Sequence, residues 1–550
     1  MQQRFDVLIT GGRLIDGTGN PWRYASVGIV GDRIAAILPP GLTAPENAST
    51  VVDATGMVVC PGFIDMLSHS IVPMMSDGRS LSKITQGVTT EIMGESWTPG
   101  PIGGHMDDPF AGSPTGRRAI ERLGSWRERA ASWTHFTDWL EALAEQGVSP
   151  NIASFVGGAT LRRYGCGMEM GQPDAEAMAA MEVAMRQSME DGALGVAYAL
   201  IYPPETYTSS EELMKICSVV GEYGGVYATH LRSESAGLLD AIEEAIQIGT
   251  TAQVPVEVYH LKASGEANWP LMRAAIERIQ RARAEGVDIT ADIYPYTASG
   301  TGLDSIIPAW AAAGGRLFEN LSDPATRQRI RDEILQAGGN ADGLGARSDP
   351  SRIMPVGCEQ SENLGYRGRL LSDIASERGQ HWIDAAMDLL VSERQRISTL
   401  YFLMDEDNVR MALRQPWVTI GSDSGGLNPE TAEPDGPTHP RTYGTFARIL
   451  GHYVRDEGVL SLEEAIRRMS SAPARRLNLQ GRGLIEPGAF ADVVVFDPAI
   501  VADKATWEHS HVLSTGVRDV WVNGARVLAG GQHTGATPGR VLYGSGKRNA

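Results

Sequence analysis

The chain contains few of the features that mark disulfide-rich, membrane or nucleic-acid-binding proteins. Its four cysteines are far apart and include no Cys-x-x-Cys pair, which argues against a disulfide framework and against a structural thiolate zinc site. It has no apolar run of about 18 residues or more, so a transmembrane helix is not expected. The formal charge is −19 and no basic run is present, which disfavours nucleic acid as a partner.

The first ten residues also lack the uninterrupted apolar core of a signal peptide. They alternate apolar side chains with Arg4 and Asp6, a pattern that predicts a strand. The cytoplasm is therefore the predicted location, and neither a membrane nor a nucleic acid is a predicted partner. The 550 residues predict a large domain with at least one accessory domain, and a homo-oligomer is compatible with the sequence.

Short strand-like runs broken by Gly, Asn and Asp are present at both ends of the chain. Phe5-Asp-Val-Leu-Ile-Thr10 and Ala491-Asp-Val-Val-Val-Phe496 are examples. Residues 1–57 and 480–550 are predicted to pair as one small β-sandwich domain. Asn523-Gly524 predicts a hairpin, since this dipeptide supplies the two positive φ angles of a type I′ turn.

Between these ends, apolar runs alternate with helical periodicity over residues 58–479, which is typical of βα units around a parallel sheet. The fold class is therefore α/β, and eight predicted strands fit a (β/α)₈ TIM-type barrel. The strands are predicted at 58–65, 88–93, 151–156, 194–198, 225–230, 255–260, 288–294 and 417–423. The long gap between the seventh and eighth strands predicts an inserted lid or subdomain at about 309–351.

Three predicted strands end in residues that could carry chemistry. A (β/α)₈ barrel places its active site at the carboxyl ends of its strands, and His230, His260 and Asp423 lie at such ends. One histidine alone is more often a core residue. Two histidines with a carboxylate favour a catalytic Zn²⁺, which lowers the pKa of water from ~15.7 to about 7. Asp423 is the predicted general base and acid.

Several motifs in this order resemble the N-acyl-D-amino-acid deacylase family of the amidohydrolase superfamily, across nearly the whole chain. They are Pro61-Gly-Phe-Ile-Asp65, Thr229-His-Leu-Arg232, His260-Leu-Lys262, Asp292-Ile-Tyr-Pro-Tyr296, Gly421-Ser-Asp423 and His439-Pro-Arg441. The resemblance implies that His230 and His260 are zinc ligands and that Asp423 is the general acid and base. It also implies a site for the substrate α-carboxylate, formed by Lys262, Arg441, Ser299 and a tyrosine of the pair Tyr294 and Tyr296. An ordinary salt bridge at the barrel rim is the alternative role for Lys262 and Arg441.

The sequence departs from this family at two metal positions. Leu67 stands where the first histidine of His-x-His belongs, so only His69 remains, which disfavours a second metal ion. The family's Gly-Asn-Cys-Gly is replaced by Gly94-Glu-Ser-Trp97, which removes the thiolate ligand. Glu95 is the preferred replacement, because a carboxylate binds zinc better than the hydroxyl of Ser96 does. The alternative is that Glu95 pairs with Arg232 or Lys262, leaving two protein ligands besides Asp423.

The leading functional hypothesis is hydrolysis of an N-acyl amide bond next to a carboxylate, most simply in an N-acyl-D-amino acid. One tightly bound Zn²⁺ is the predicted cofactor, and a small amide that carries a carboxylate is the predicted partner. Cyclic-amide hydrolysis is a first alternative, but residues 192–198 lack the strand-four lysine that such two-metal sites use. A non-catalytic barrel scaffold is the second alternative. The presence of both strand-end histidines, Asp423 and the carboxylate-binding residues argues against it, because a scaffold does not need this combination.

Overall fold

The computed structural model of the chain describes residues 4–41, 47–104, 108–336, 349–432 and 436–548. The predicted ranges 1–57, 309–351 and 480–550 therefore each include residues that lie outside the described ones. Among the described residues, no helix combines the length and apolar character needed to cross a membrane. The four cysteines form no disulfide; three are buried and Cys166 is half-buried.

Parallel strands at the centre of the chain form two ladders. The first has the order Asn151–Ser154, Val88–Met93 and Phe63–Asp65. The second has the order Val156–Gly157, Gly195–Ala199, Val226–His230, Val256–Val258, Ile289–Ile293 and Val418–Ile420. The chain passes from one ladder to the other at Phe155, and a single parallel bridge joins Ser68 to Ser424 at the opposite edges. Each predicted strand overlaps at least one of these segments.

The predicted strand over 58–65 is divided between two sheets. Val58–Pro61 pairs with Arg13–Leu14 and Val493–Phe496, whereas Phe63–Asp65 pairs with Val88–Met93. The break falls at Gly62, where a Cβ would lie 2.0 Å from Thr89 Oγ1. The prediction of one continuous strand was therefore wrong, because an unbroken apolar run does not reveal which sheet each half joins.

The two ends of the chain form two further sheets. The four-stranded sheet has the order Arg33–Leu38, Ser26–Val30, Phe5–Thr10 and Ala48–Asp53. The seven-stranded sheet has the order Gln532–His533, Ala525–Ala529, Val517–Val522, Val493–Phe496, Val58–Pro61, Arg13–Leu14 and Arg23–Tyr24. Both sheets contribute to one buried apolar cluster, in which Ile9 and Val27 join Val495 and Trp521. Apolar burial thus holds the two ends together.

Helices lie between the parallel strands and around them. Asp174, Ser209 and Ser461 accept a backbone N–H at the start of three of these helices, which satisfies donors that the helix itself cannot. The α-helices are Ile71–Ser76, Leu81–Ile84, Arg117–Glu121, Trp126–Ala130, Asp138–Gln146, Gly158–Cys166, Ala175–Asp191, Ser210–Glu222, Leu238–Ala252, Leu271–Ala284, Leu317–Ser322, Pro324–Gln336, Leu371–Glu377, Trp382–Glu393, Glu406–Leu413, Pro429–Ala432, Arg441–Arg448, Leu462–Met469 and Ser471–Arg476. A π-helix, Ile449–Asp456, continues the helix that Arg441 begins.

A small antiparallel sheet with its own core lies between the last two parallel strands in sequence. Its strand order is Ser299–Gly302, Ser398–Tyr401 and Ile353–Pro355. A separate apolar cluster that includes Leu303, Ile374 and Leu390 packs beneath it. This inserted unit begins before residue 309 and ends after residue 351.

The predicted hairpin at Asn523-Gly524 is confirmed. Val517–Val522 and Ala525–Ala529 pair as antiparallel strands, and φ is +48° at Asn523 and +79° at Gly524. A Cβ on Gly524 would lie 2.0 Å from the carbonyl oxygen of Gly31. The turn therefore needs glycine both for its backbone angle and for its close approach to the four-stranded sheet.

Gly524→Ala is expected to lower the melting temperature in scanning fluorimetry. The left-handed backbone alone costs roughly 1–2 kcal/mol, and contact with Gly31 adds to this cost. Gly530→Ala is the matched control, because Gly530 has φ +59° but open space around it. A decrease in melting temperature no larger than that of the control would contradict the contact.

Candidate metal centre and active site

The predicted strand-end residues meet at one end of the parallel strands. His230 is the last residue of its strand, and His260 and Asp423 follow theirs closely. His260 has φ +36° and Asp423 has φ +50°, backbone angles that are uncommon outside glycine and that cluster at functional sites. All three line one cavity of about 1210 Å³. The cavity is large enough for a small-molecule substrate.

Glu95 lies between the two strand-end histidines. Its Oε1 is 3.6 Å from His230 Nδ1 and 3.8 Å from His260 Nε2. Burial raises the pKa of Glu95, but its interactions with the imidazoles of His230, His260 and His69 outweigh burial and hold that pKa well below the usual value. The carboxylate is therefore ionised and accessible to a cation from the side of the imidazoles.

These three residues fit a zinc ion. Glu95 Oε1 is buried without a hydrogen-bond partner, although buried polar atoms are normally satisfied. Ligand atoms in a tetrahedral zinc site lie ~3.3 Å apart for bonds of ~2.05 Å, close to the two distances from Glu95 Oε1. One carboxylate and two imidazoles are also a ligand set that catalytic zinc uses. The chemistry of the ligand atoms and the unsatisfied oxygen of Glu95 therefore both fit a bound zinc ion.

Glu234 is a functional candidate that the sequence analysis missed. Its Oε1 lies 3.1 Å from His260 Nδ1 and 3.4 Å from His230 Nε2, which are the ring nitrogens turned away from Glu95. Lys262 Nζ donates to the same oxygen. A carboxylate in this position fixes the orientation of metal-binding imidazoles. The sequence did contain a feature that could have identified Glu234. This glutamate lies four residues beyond the strand-end His230, in a loop at the end of the strands where barrel active sites form.

His69 links Glu95 to Asp423. Its Nε2 lies 3.2 Å from Glu95 Oε2 and 2.9 Å from Asp423 Oδ1. Burial lowers the pKa of His69, but its hydrogen bonds with the two carboxylates outweigh burial and raise that pKa to about 9. Leu67, the residue in place of the missing histidine, is fully buried and has no ligand atom to offer. His69 thus bridges two carboxylates within hydrogen-bond reach.

Asp423 is also paired with Arg441, through an Oδ2–NH1 distance of 2.8 Å. Burial raises the pKa of Asp423, but the charges of Arg441 and His260 and the hydrogen bond with His69 outweigh burial and lower that pKa. The carboxylate is therefore ionised.

A buried ionic network holds the loop that carries Asp423. Lys83 Nζ donates to Asp65 Oδ2 at 2.7 Å and to the carbonyl oxygen of Ser424 at 2.8 Å, and it also contacts Ser422 Oγ. The Lys83 and Asp65 side chains are fully buried. The ends of the first and last parallel strands are thereby fixed on both sides of Asp423.

Ser96, the second candidate for the strand-two ligand, is turned away from the histidines. Its Oγ donates to Glu205 Oε2 at 2.6 Å, and Glu205 Oε1 accepts the backbone N–H of Ala199 at 2.9 Å. Arg232 pairs with Glu244. Lys262, as described, pairs with Glu234. Neither cation is therefore the partner of Glu95, as the alternative interpretation required.

Most of the predicted carboxylate-binding residues line the cavity, and Tyr296 does not. Lys262, Arg441, Ser299 and Tyr294 are in its wall, with the Arg441 guanidinium carbon 4.6 Å from the Tyr294 ring centroid. The Tyr296 hydroxyl instead donates to Asp503 Oδ2 at 3.3 Å. Of the predicted tyrosine pair, Tyr294 is thus the one placed to meet a ligand.

Comparison with known proteins identifies relatives that cover almost the whole chain. The amidohydrolase family profile matches residues 324–528. D-aminoacylase from Alcaligenes xylosoxydans xylosoxydans is 36% identical over 98% of this chain and 98% of its own length. The chain belongs to the N-acyl-D-amino-acid deacylase family. The resemblance seen in the sequence motifs is therefore confirmed.

Solved structures of the deacylase family cover this chain almost completely. A crystal structure of D-aminoacylase has a TM-score of 0.79 at 34% identity, over 98% of this chain and all of the other. The N-acyl-D-glutamate deacylase of Bordetella bronchiseptica, complexed with zinc and a phosphonate inhibitor, has the same TM-score at 31% identity and the same coverage. Zinc is thus present in a structure of this family.

Glu95→Ala is expected to lose most of the bound zinc, because it removes a charged ligand that both histidines face. Metal analysis of the purified proteins should find about one equivalent in the wild type. Ser96→Ala is the matched control and should keep its zinc, since Ser96 Oγ binds Glu205 instead. Full zinc occupancy in Glu95→Ala would exclude Glu95 as a ligand.

Proposed function

We propose that the chain is a zinc-dependent amidohydrolase that cleaves the N-acyl amide bond of an N-acyl-D-amino acid or a related compound. The observation that carries this proposal is the single cavity in which Glu95, His230 and His260 lie beside Asp423 and beside the cations Lys262 and Arg441. A hydrolytic centre next to a carboxylate site is what an N-acyl amino acid requires. The family relationship supports the same reaction.

The proposed architecture follows from the ladders described above. The three- and six-stranded parallel ladders would together form one (β/α)₈ barrel over residues 58–479, joined at Phe155 and by the bridge between Ser68 and Ser424. Residues 1–57 and 480–550 would form the β-sandwich domain, and the range 309–351 would belong to the inserted lid. The cytoplasmic location and a homo-oligomeric state stay predictions from the sequence.

Each group in the cavity has a role in the proposed mechanism. Glu95, His230 and His260 would hold the zinc ion, which supplies Lewis acidity to the amide carbonyl and to water. Asp423 takes a proton from the attacking water and then delivers it to the leaving amine nitrogen. His69 keeps Asp423 oriented through its bond to Oδ1. Glu234 keeps both zinc-binding imidazoles in place.

The substrate α-carboxylate would be bound by Lys262 and Arg441, with Tyr294 and Ser299 beside them. A guanidinium presents a planar pair of N–H donors to a carboxylate, and an ammonium adds a second positive charge. These cations already contact Asp423 and Glu234, so a bound substrate would share them with the catalytic carboxylates. A substrate carboxylate bound to Arg441 would therefore bring the scissile amide next to Asp423.

The test is a panel of N-acetyl D- and L-amino acids incubated with the zinc-loaded protein, with release of the free amine as the measurement. Turnover is expected for D-amino acid derivatives. Asp423→Asn is expected to bind zinc and to lose about 10²- to 10⁴-fold in kcat, because it cannot move the proton. If no member of the panel is hydrolysed, the proposed reaction is wrong.

Arg441→Ala is expected to raise KM more for an N-acetyl amino acid than for the corresponding α-carboxamide. Loss of a charge-assisted hydrogen bond corresponds to about tenfold or more in affinity. An effect of the substitution on Asp423 would change KM for both substrates equally. The ratio of the two KM values therefore reports the carboxylate contact alone. An equal change in KM for both would remove Arg441 from the carboxylate site.

A further inference from the structure

A second cationic side chain, Arg396, lies in the cavity wall beyond the proposed α-carboxylate site. Arg396 precedes the strand Ser398–Tyr401 of the inserted sheet, and Thr301 lies on the neighbouring strand. Tyr202 follows the parallel strand Gly195–Ala199. All three side chains line the cavity that holds the metal centre. The inserted unit and the parallel strands thus build this part of the wall together.

Direct contacts order these three residues. Arg396 NH2 donates to Thr301 Oγ1 at 2.6 Å, and Thr301 Oγ1 also shares a hydrogen bond with the Tyr202 hydroxyl. The Arg396 guanidinium carbon lies 4.9 Å from the centroid of the Tyr202 ring, a cation–π arrangement. The other edge of Tyr202 faces His230, with ring centroids 5.6 Å apart. The guanidinium is thus held at a fixed place beside a zinc-binding residue.

The charge of Arg396 is not neutralised at close range. Arg441 and Lys262 each contact a carboxylate, but among the described residues none lies within 4.0 Å of the Arg396 nitrogens. Burial lowers the pKa of Arg396, but the charge of Asp304 and the interactions with Tyr202 and Tyr401 together outweigh burial and raise that pKa, so the group stays protonated. Asp304 itself does not line the cavity. A guanidinium has five N–H donors, so Arg396 keeps donors beyond its bond to Thr301.

We infer that Arg396, Thr301 and Tyr202 form a second carboxylate subsite, which selects substrates with a carboxylate in the amino acid side chain. This inference rests on the proposed function. Arg441 NH2 donates to the carbonyl oxygen of Gly300 at 3.4 Å, and Arg396 contacts the next residue of the same strand. The two guanidinium groups therefore suit two carboxylates that are a few bonds apart, as in an N-acyl glutamate or aspartate.

A neutral side chain would be disfavoured at this subsite. It would cover the guanidinium of Arg396 without offering an acceptor of matching charge, and a desolvated cation without a partner costs binding energy. Selectivity would therefore come from both a favourable pair with acidic substrates and a penalty for apolar ones.

The experiment compares kcat/KM for N-acetyl-D-glutamate, N-acetyl-D-glutamine and N-acetyl-D-norleucine in zinc-loaded protein. The wild type should prefer the glutamate derivative by about tenfold or more over the glutamine derivative. Arg396→Gln should reduce the ratio of kcat/KM for the glutamate derivative to kcat/KM for the glutamine derivative to about twofold or less. Arg79→Gln is the matched control, because Arg79 lines the same cavity but is paired with Asp77.

Arg396→Lys separates loss of the contact from loss of the fold, since it keeps the charge and should keep part of the preference. Equal kcat/KM for the acidic and neutral substrates in the wild type, unchanged in Arg396→Gln, would overturn the subsite and leave the proposed hydrolysis intact. If the wild type hydrolyses no N-acyl amino acid at all, the proposed function fails and this inference fails with it.

Discussion

One buried carboxylate among three imidazoles is the interaction on which the rest of the site depends. Glu95 lies close to His69, His230 and His260, and without its charge the three imidazoles would lose their shared anionic neighbour. Buried ionisable groups are tolerated only when they are paired or bound to a metal, so each neighbour of Glu95 has a partner of its own. Glu234 serves the two strand-end histidines, and Asp423 serves His69. The cavity is therefore an alternation of cations and anions around one metal-binding point.

The sequence predicted the positions of the parallel strands and the central residues well, because both follow from local patterns. Apolar runs mark buried strands, and a polar residue at the end of such a run marks the catalytic end of a barrel. His230, His260 and Asp423 could be found in this way. The choice of Glu95 over Ser96 also came from chemistry alone, since a carboxylate replaces the lost charge of a thiolate, and the structure places Glu95 beside the histidines.

What the sequence could not reveal depends on side-chain direction and on contacts between distant segments. Tyr294 and Tyr296 lie two residues apart in one motif, yet only Tyr294 faces the cavity. Glu234 and Arg396 lie in loops, where no periodicity indicates which way a side chain points. The division of the first strand at Gly62 could not be predicted either, because residues 58–65 are apolar on both sides of the break. Pairing partners more than 400 residues away decide the difference.

That division also constrains the order in which the chain can fold during synthesis. The seven-stranded sheet places Val58–Pro61 between Arg13–Leu14 and Val493–Phe496, so the ribosome must complete almost the whole chain before this sheet can close. Until then the early strands expose unpaired edges and apolar faces, a state prone to aggregation. Contacts of such long range also slow folding. The pairing of both ends in one sheet therefore leaves the newly made protein exposed to aggregation until its last strands emerge.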